Sequence, residues 1–131
     1  MSHFTQVQTV IRDQALLEES LRQLQFEFQS ADEVTIRGYQ GNTETAQVVV
    51  DTGSRYDIGI QRQEDGSFAV SADWWGVEFN TNIRQETFMQ ALNRTYAHLT
   101  VKKQVLEQGL IIEQEKVLPN GEIELVVSER Y

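Results

Sequence analysis

The period of the hydrophobic pattern changes along this chain, and that change constrains the fold more than any other feature. Leu17, Leu21 and Leu24 recur at i, i+4 and i+7, one apolar stripe of an amphipathic helix that ends near Gln25. Asp13 stands just ahead of it, where a side-chain oxygen can accept from the free amides of a helix start. Before that, the β-branched mixture from Phe4 to Ile11 reads as a strand with Val7, Thr9 and Ile11 on one face. The middle of the chain then alternates with period 2. Val34, Ile36 and Gly38 alternate with Thr35, Arg37 and Tyr39, and Ala46, Val48 and Val50 alternate with Gln47, Val49 and Asp51. Tyr56–Ile60 and Phe68-Val70-Ala72 follow in the same style.

Turn chemistry separates these runs at Tyr39-Gln40-Gly41-Asn42, Asp51-Thr52-Gly53-Ser54 and Glu64-Asp65-Gly66-Ser67. Connections so short imply antiparallel neighbours, a meander with one buried face. Helical spacing returns after Asn80-Thr81-Asn82 and runs to about Glu107, with Gly109 as a left-handed stop. Its stripe is Phe88, Leu92, Tyr96, Leu99 and Leu106; Lys103 falls in the same stripe, which predicts a sheet-edge position from which the charge reaches water. Leu110-Ile111-Ile112 begins a strand, Pro119-Asn120-Gly121 turns it, and Ile123, Leu125 and Val127 mark the buried face of the last strand.

The pattern therefore predicts one α+β domain over residues 1–131: an antiparallel β-sheet with two α-helices packed on one face. Strand–helix–strand–strand at 3–40 is echoed at 67–129, which points to duplicated β-α-β-β units with two extra strands between them. No stretch rich in Pro, Gly and Ser divides the chain.

Composition closes several function classes. The chain has no cysteine, so it can hold no disulfide, no thiolate nucleophile and no thiolate ligand for zinc or iron–sulfur clusters. Eleven Lys and Arg against twenty Asp and Glu give a net charge of −9, which repels nucleic-acid phosphates and anionic lipid surfaces. Neither a signal-peptide pattern at Met1-Ser2-His3-Phe4 nor an 18-residue apolar run is present, so the protein is expected to stay soluble where it is made, without membrane insertion.

Catalytic and cofactor signatures are also missing from the sequence. Neither GxGxxG nor GxxxxGK[ST] occurs, and Gly38-Tyr39-Gln40-Gly41 has the wrong length and no following lysine. His3 and His98 lack the partner spacing of a metal or catalytic site and read as surface histidines. Glu113 and Glu115 share a strand face, as do Glu122 and Glu124 on its hairpin partner. They read as a solvated face that discourages edge pairing, with a hard-cation site as the alternative. No cofactor and no metal are expected.

Binding chemistry is better represented. Arg37, Tyr39, Asp57 and the pair Trp74-Trp75 stand out, because two adjacent tryptophans at a strand end face opposite ways and one must be exposed. Exposed Trp, Tyr and Arg dominate interaction hot spots, although Trp75 could instead pack under the loop 76–82. On the second helix Ala97, Val101 and Val105 form an apolar patch behind the main stripe, which a partner, a second copy or the N-terminal segment could cover.

Several short motifs occur together in a fixed order: Met1-Ser2-His3-Phe4, Arg37-Gly38-Tyr39 with Gly41, Ala46-Gln47-Val48-Val49-Val50, Tyr56-Asp57-Ile58-Gly59, Tyr96-Ala97, Gln108-Gly109 and Asn120-Gly121-Glu122-Ile123-Glu124-Leu125-Val126-Val127. Over nearly its whole length the chain resembles the hypothetical chloroplast reading frame thirty-five family, a domain of unknown function in cyanobacteria and red-algal plastids. The resemblance carries over no catalytic or binding residue. It implies a setting, cyanobacterial cytoplasm or plastid stroma, and a small ferredoxin-like protein as partner. An acidic ferredoxin would be repelled unless Arg37, Arg55 and Arg62 formed a basic patch. Relatives are expected to end in Trp, where this chain ends Arg130-Tyr131.

Two functions follow as expectations. The first is a non-enzymatic protein-interaction or assembly factor, itself capable of forming a homo-oligomer, that works through Arg37, Tyr39, Trp74 and Trp75 and the back of the second helix. The alternative is a small-molecule binder or enzyme with a pocket between helices and sheet, where Tyr96, Lys103 and a carboxylate would serve as acid–base groups.

Overall fold

The computed structural model describes residues 4–38 and 43–129. Five strands build the main sheet: β1 (Thr5–Gln8), β2 (Glu27–Arg37), β3 (Thr43–Asp51), β4 (Ile58–Arg62) and β5 (Phe68–Ala72). Their order across the sheet is β1-β5-β4-β3-β2, with every neighbour antiparallel. β1 and β2 are thus consecutive strands at opposite edges, and the helix between them, α1 (Gln14–Gln23), spans the face of the sheet.

Local chemistry fixes that helix at both ends. Asp13 accepts the Leu16 amide at 3.1 Å, as its position predicts, and Gln25 adopts φ 64°, a left-handed residue that turns the chain into β2. Leu17 and Leu21 are fully buried against Val48, Val50, Ile58, Ile60, Phe68 and Val70, the inward set of the strand alternation.

The alternation places β5 correctly, but the two tryptophans do not end a strand. Asp73 accepts the Gly76 amide at 3.1 Å and starts a short helix, α2 (Trp74–Asn80). The long helix, α3 (Gln85–Glu107), begins after it, later than Asn80-Thr81-Asn82 suggested. The Glu78 carboxylate of α2 accepts the Gln85 amide at 2.8 Å, satisfying a free donor in the first turn of α3. The fold is α+β as expected, with three helices where the periodicity predicted two.

The last two strands, β6 (Leu110–Val117) and β7 (Ile123–Glu129), pair only with each other in a separate two-stranded sheet. This corrects the duplication. Strands β6 and β7 have no counterpart position in the main sheet, so residues 67–129 do not repeat the arrangement of 3–40.

The sheet face away from the helices is partly covered by the chain itself. The β2–β3 pairing slips between Ser30 and Val34, where three residues of β2 oppose a single one of β3. Beyond the slip Ile36 and Ala46 join Val49 in a second, smaller apolar cluster with Phe4 and Val34. Ile36 lies directly on Gly59 of β4, where any side chain would overlap it.

Candidate functional site

The bent β2–β3 hairpin brings Arg37 to Asp57, just ahead of β4. The Arg37 guanidinium donates Nε–H to Asp57 Oδ2 at 2.9 Å and Nη2–H to Oδ1 at 2.7 Å, and the Arg37 backbone amide donates to Oδ2 at 2.9 Å. Asp57 is buried while the Arg37 side chain is half exposed, so the fork joins an interior anion to a surface cation. The hydrogen bond to Asp57 holds the Arg37 pKa above its ordinary value. Arg37 also donates to the Ser54 carbonyl at 2.9 Å.

Ser54 belongs to the loop 52–57, which ties this pair to α2. Asp51 accepts the Gly53 amide at 2.8 Å, with Gly53 at φ 81°, and the Thr52 hydroxyl donates to the Tyr56 carbonyl at 2.6 Å. The loop thereby holds the Tyr56 ring against Gly76, so closely that a β-carbon at 76 would overlap it. The next residue back is Trp75, which is 55% exposed and stacks on Phe79, itself 76% exposed. Their ring centroids are 5.3 Å apart and their planes differ by 9°. Trp74 points the opposite way, into the core against Phe88.

Of the residues singled out from sequence, Arg37, Asp57 and Trp75 are therefore linked through one loop at one end of the sheet. Trp74 is interior, and Tyr39 lies outside the described residues. Phe79 was not foreseen, although its spacing of four from Trp75 is the separation at which helical side chains meet. Beside Arg37 opens a groove of about 820 Å³ whose lining includes Glu27, Glu33, Asp51 and Asp57. Arg62 is elsewhere, at the far end of β4, where it lies over the Phe68 ring and donates to Gln14. Arg37, Arg55 and Arg62 thus do not form a single basic patch.

Tyr96 and Lys103 both bond to the segment that leads into α1. The Tyr96 hydroxyl accepts the amides of Arg12 and Asp13 at 3.2 and 3.0 Å, and Lys103 Nζ donates to Asp13 Oδ2 at 3.1 Å. Together they clamp the segment leading into α1. The Leu16 amide, then Lys103, hold the Asp13 pKa below its ordinary value; the hydrogen bond to Asp13 raises that of Lys103.

Ala97, Val101 and Val105 sit on the side of α3 along which the β6–β7 hairpin runs. Lys102 pairs with Glu115 at 3.0 Å, and the Arg94 guanidinium lies over Gly121 at the hairpin turn. The hairpin covers this side incompletely, since Ala97 and Val101 remain exposed. A register slip between Ile112 and Gln114 separates the acids expected to share a face. Glu113 accepts the Ser128 hydroxyl, Glu115 faces Lys102, and Glu124 sits opposite Lys116. Among the described residues no group of three or more His, Cys, Asp or Glu could hold a metal ion, and no helix is long and apolar enough to cross a membrane.

Comparison with known proteins places this geometry in a family. Residues 20–126 match the family described as "Protein of unknown function (DUF1257)". The chain belongs to that family. The match spans Arg37, Asp57, Trp75, Phe79 and most of the terminal hairpin. Proteins similar to the chain include the "Uncharacterized protein ycf35" of Cyanophora paradoxa, 27% identical over 128 residues, and that of Guillardia theta, 28% identical over 132 residues. Each comparison covers 97% of this chain and 96% of the relative. The resemblance read from the motifs is thereby borne out. No solved structure matches the chain.

Proposed function

We propose that this DUF1257 protein is a non-enzymatic interaction or assembly factor, and that its partner docks on the α2 surface around Trp75 and Phe79. The stacked, solvent-facing pair carries this reading. Two large aromatic rings held parallel on a seven-residue helix present a rigid apolar surface that loses little conformational freedom on binding. Arg37, fixed by its fork to Asp57, is tied to the same helix through the loop that runs from Ser54 to Tyr56. Tyr96 and Lys103 are engaged with the segment before α1, so the enzymatic alternative built on them gains no support from their geometry.

The partner is expected to offer a neutral or basic face. Arg37 is already paired with Asp57 and the chain carries −9, so an acidic ferredoxin-like protein could dock only through an apolar patch of its own. Likeness to the ycf35 proteins supports cyanobacterial cytoplasm or plastid stroma as the setting.

The test compares the tagged protein with its Trp75→Ala/Phe79→Ala variant in quantitative co-purification from a phototrophic lysate. The variant should keep its circular dichroism and thermal midpoint close to the original, while a stoichiometric partner drops by about tenfold or more. Equal recovery of every associated protein by both forms would refute the docking surface.

A further inference from the structure

The C-terminal arm, formed by the outer part of α3 and the β6–β7 hairpin, has no core of its own. From Asn93 to Glu129 not one residue is buried. Six of the nine large apolar residues exposed among the described residues lie there: Val101, Leu106, Ile111, Val117, Val126 and Val127. A lone two-stranded hairpin is marginal in water. Contact with α3 supports it only loosely, because a hollow of about 360 Å³ lies between Arg94, Ala97 and His98 and the hairpin turn.

Register and the Lys102–Glu115 pair settle which face looks away from α3. Glu115 and its cross-strand neighbour Leu125 face the helix. Val126 and Glu124, with their partners Gln114 and Lys116, therefore face outward, as does the Ile111–Ser128 pair beyond the slip. The outward face is apolar at Ile111 and Val126, carries the Glu113–Ser128 hydrogen bond between them, and sets opposite charges side by side at Lys116 and Glu124.

We propose that this outward face of β6–β7 is the interface of a two-fold homodimer. A contact between identical surfaces must be self-complementary. A two-fold axis running along the strands lays each copy's β6 over the other's β7. Each Lys116 then meets the Glu124 of the second copy, while Val126 lies over Gln114 and Ile111 over Ser128, with the two Val126 side chains adjacent across the axis. The charge distribution favours the same occupant. Residues 93–129 carry four Lys and Arg against six Asp and Glu, whereas residues 1–92 carry six against fourteen. Joining through the arms places the less acidic part of each chain at the contact.

The test is the mass in solution of the full chain at about 100 μM and physiological salt, by sedimentation and light scattering, where even a weak contact is populated. The expected mass is twice the 15.1 kDa of the chain. Ile111→Glu/Val126→Glu should run as a folded monomer, since neither residue is buried. Lys116→Glu should weaken association by about tenfold or more, and Lys116→Glu/Glu124→Lys should restore it. A wild-type protein that stays monomeric at this concentration overturns the proposal, as does a dimer unaffected by Ile111→Glu/Val126→Glu. Trp75→Ala/Phe79→Ala should leave the mass unchanged, which separates this interface from the α2 surface.

Discussion

Arg37 and Asp57, twenty residues apart, are joined by four hydrogen bonds: one carboxylate takes both the side-chain fork and the backbone amide of the arginine, and the Asp57 amide donates to the Arg37 carbonyl at 3.0 Å. The pair locks the bent end of β2 to the start of β4. Asp57 is buried, so removing Arg37 leaves an uncompensated interior charge, and removing Asp57 takes the partner from both the Arg37 amide and its guanidinium. Asp57→Ala should cost about 2–4 kcal/mol in denaturant unfolding. Arg37→Lys, which keeps the charge but loses the fork, should cost about 1–2 kcal/mol. Equal stability of Asp57→Ala and wild type would show the pair to be idle.

The contact of Ile36 with Gly59 leaves no room for a methyl group. Gly59→Ala should therefore destabilise by about 1–3 kcal/mol through overpacking. Combined with Ile36→Ala, the two costs should fall short of additive, because the smaller side chain vacates the space the new methyl needs. Strict additivity in a double-mutant cycle would count against the contact.

The two tryptophans should be separable by fluorescence. Trp75→Phe leaves only the buried Trp74, whose emission should be blue-shifted and poorly quenched by acrylamide. Trp74→Phe leaves the exposed Trp75, with red-shifted and readily quenched emission. The reverse pattern would contradict the inward and outward assignment on α2.

Asp13 links the start of α1 to pH. Its carboxyl is held below the ordinary value first by the Leu16 amide and then by Lys103. A group whose folded pKa is depressed stabilises fully above its unfolded pKa, about 3.9, and loses that contribution as pH falls through the folded value. Asp13→Asn keeps a capping oxygen but cannot ionise. Its unfolding free energy should therefore fall less steeply than wild type below about pH 4, and unchanged steepness would argue against the linkage.

Leu92 and Leu106 occupy one stripe of α3 but different surroundings. Leu92 is fully buried and Leu106 is 55% exposed. Leu92→Ala should cost about 2–5 kcal/mol and Leu106→Ala about 0.5 kcal/mol or less, measured by chemical denaturation. Comparable losses at both positions would mean that the outer part of α3 is covered after all.

Much of this fold is legible in local sequence because it rests on short-range rules. The Leu17–Leu21 stripe, the Asp13 cap, the alternation through Val48, Val50, Ile58, Ile60 and Val70, and the stop at Gly109 each follow from spacing and backbone preference. Trp74-Trp75 misled because bulky aromatics after an alternating run favour a strand. The Asp73 cap, and the burial of Trp74 against Phe88, make the segment a helix instead. Glu113 and Glu115 misled because one slipped residue reverses every facing beyond it. Of the candidate surface, Arg37 and Trp75 were visible as residue types; their connection through Ser54 and Tyr56 was not, because it depends on a bend in β2 that no local pattern announces.

By itself the sequence determined the secondary-structure class, the antiparallel meander, the inward faces of α1 and the central strands, and the absence of any cysteine chemistry. Those properties depend on residue type and on periods of two and 3.6, which neighbours along the chain decide. Only the tertiary structure decided that β1 crosses to pair with β5, that β6 and β7 stand apart from the main sheet, and that Arg37 meets Asp57. Each of these joins residues far apart in the chain, and which distant partners meet is settled by competition among all the surfaces the chain has to bury at once.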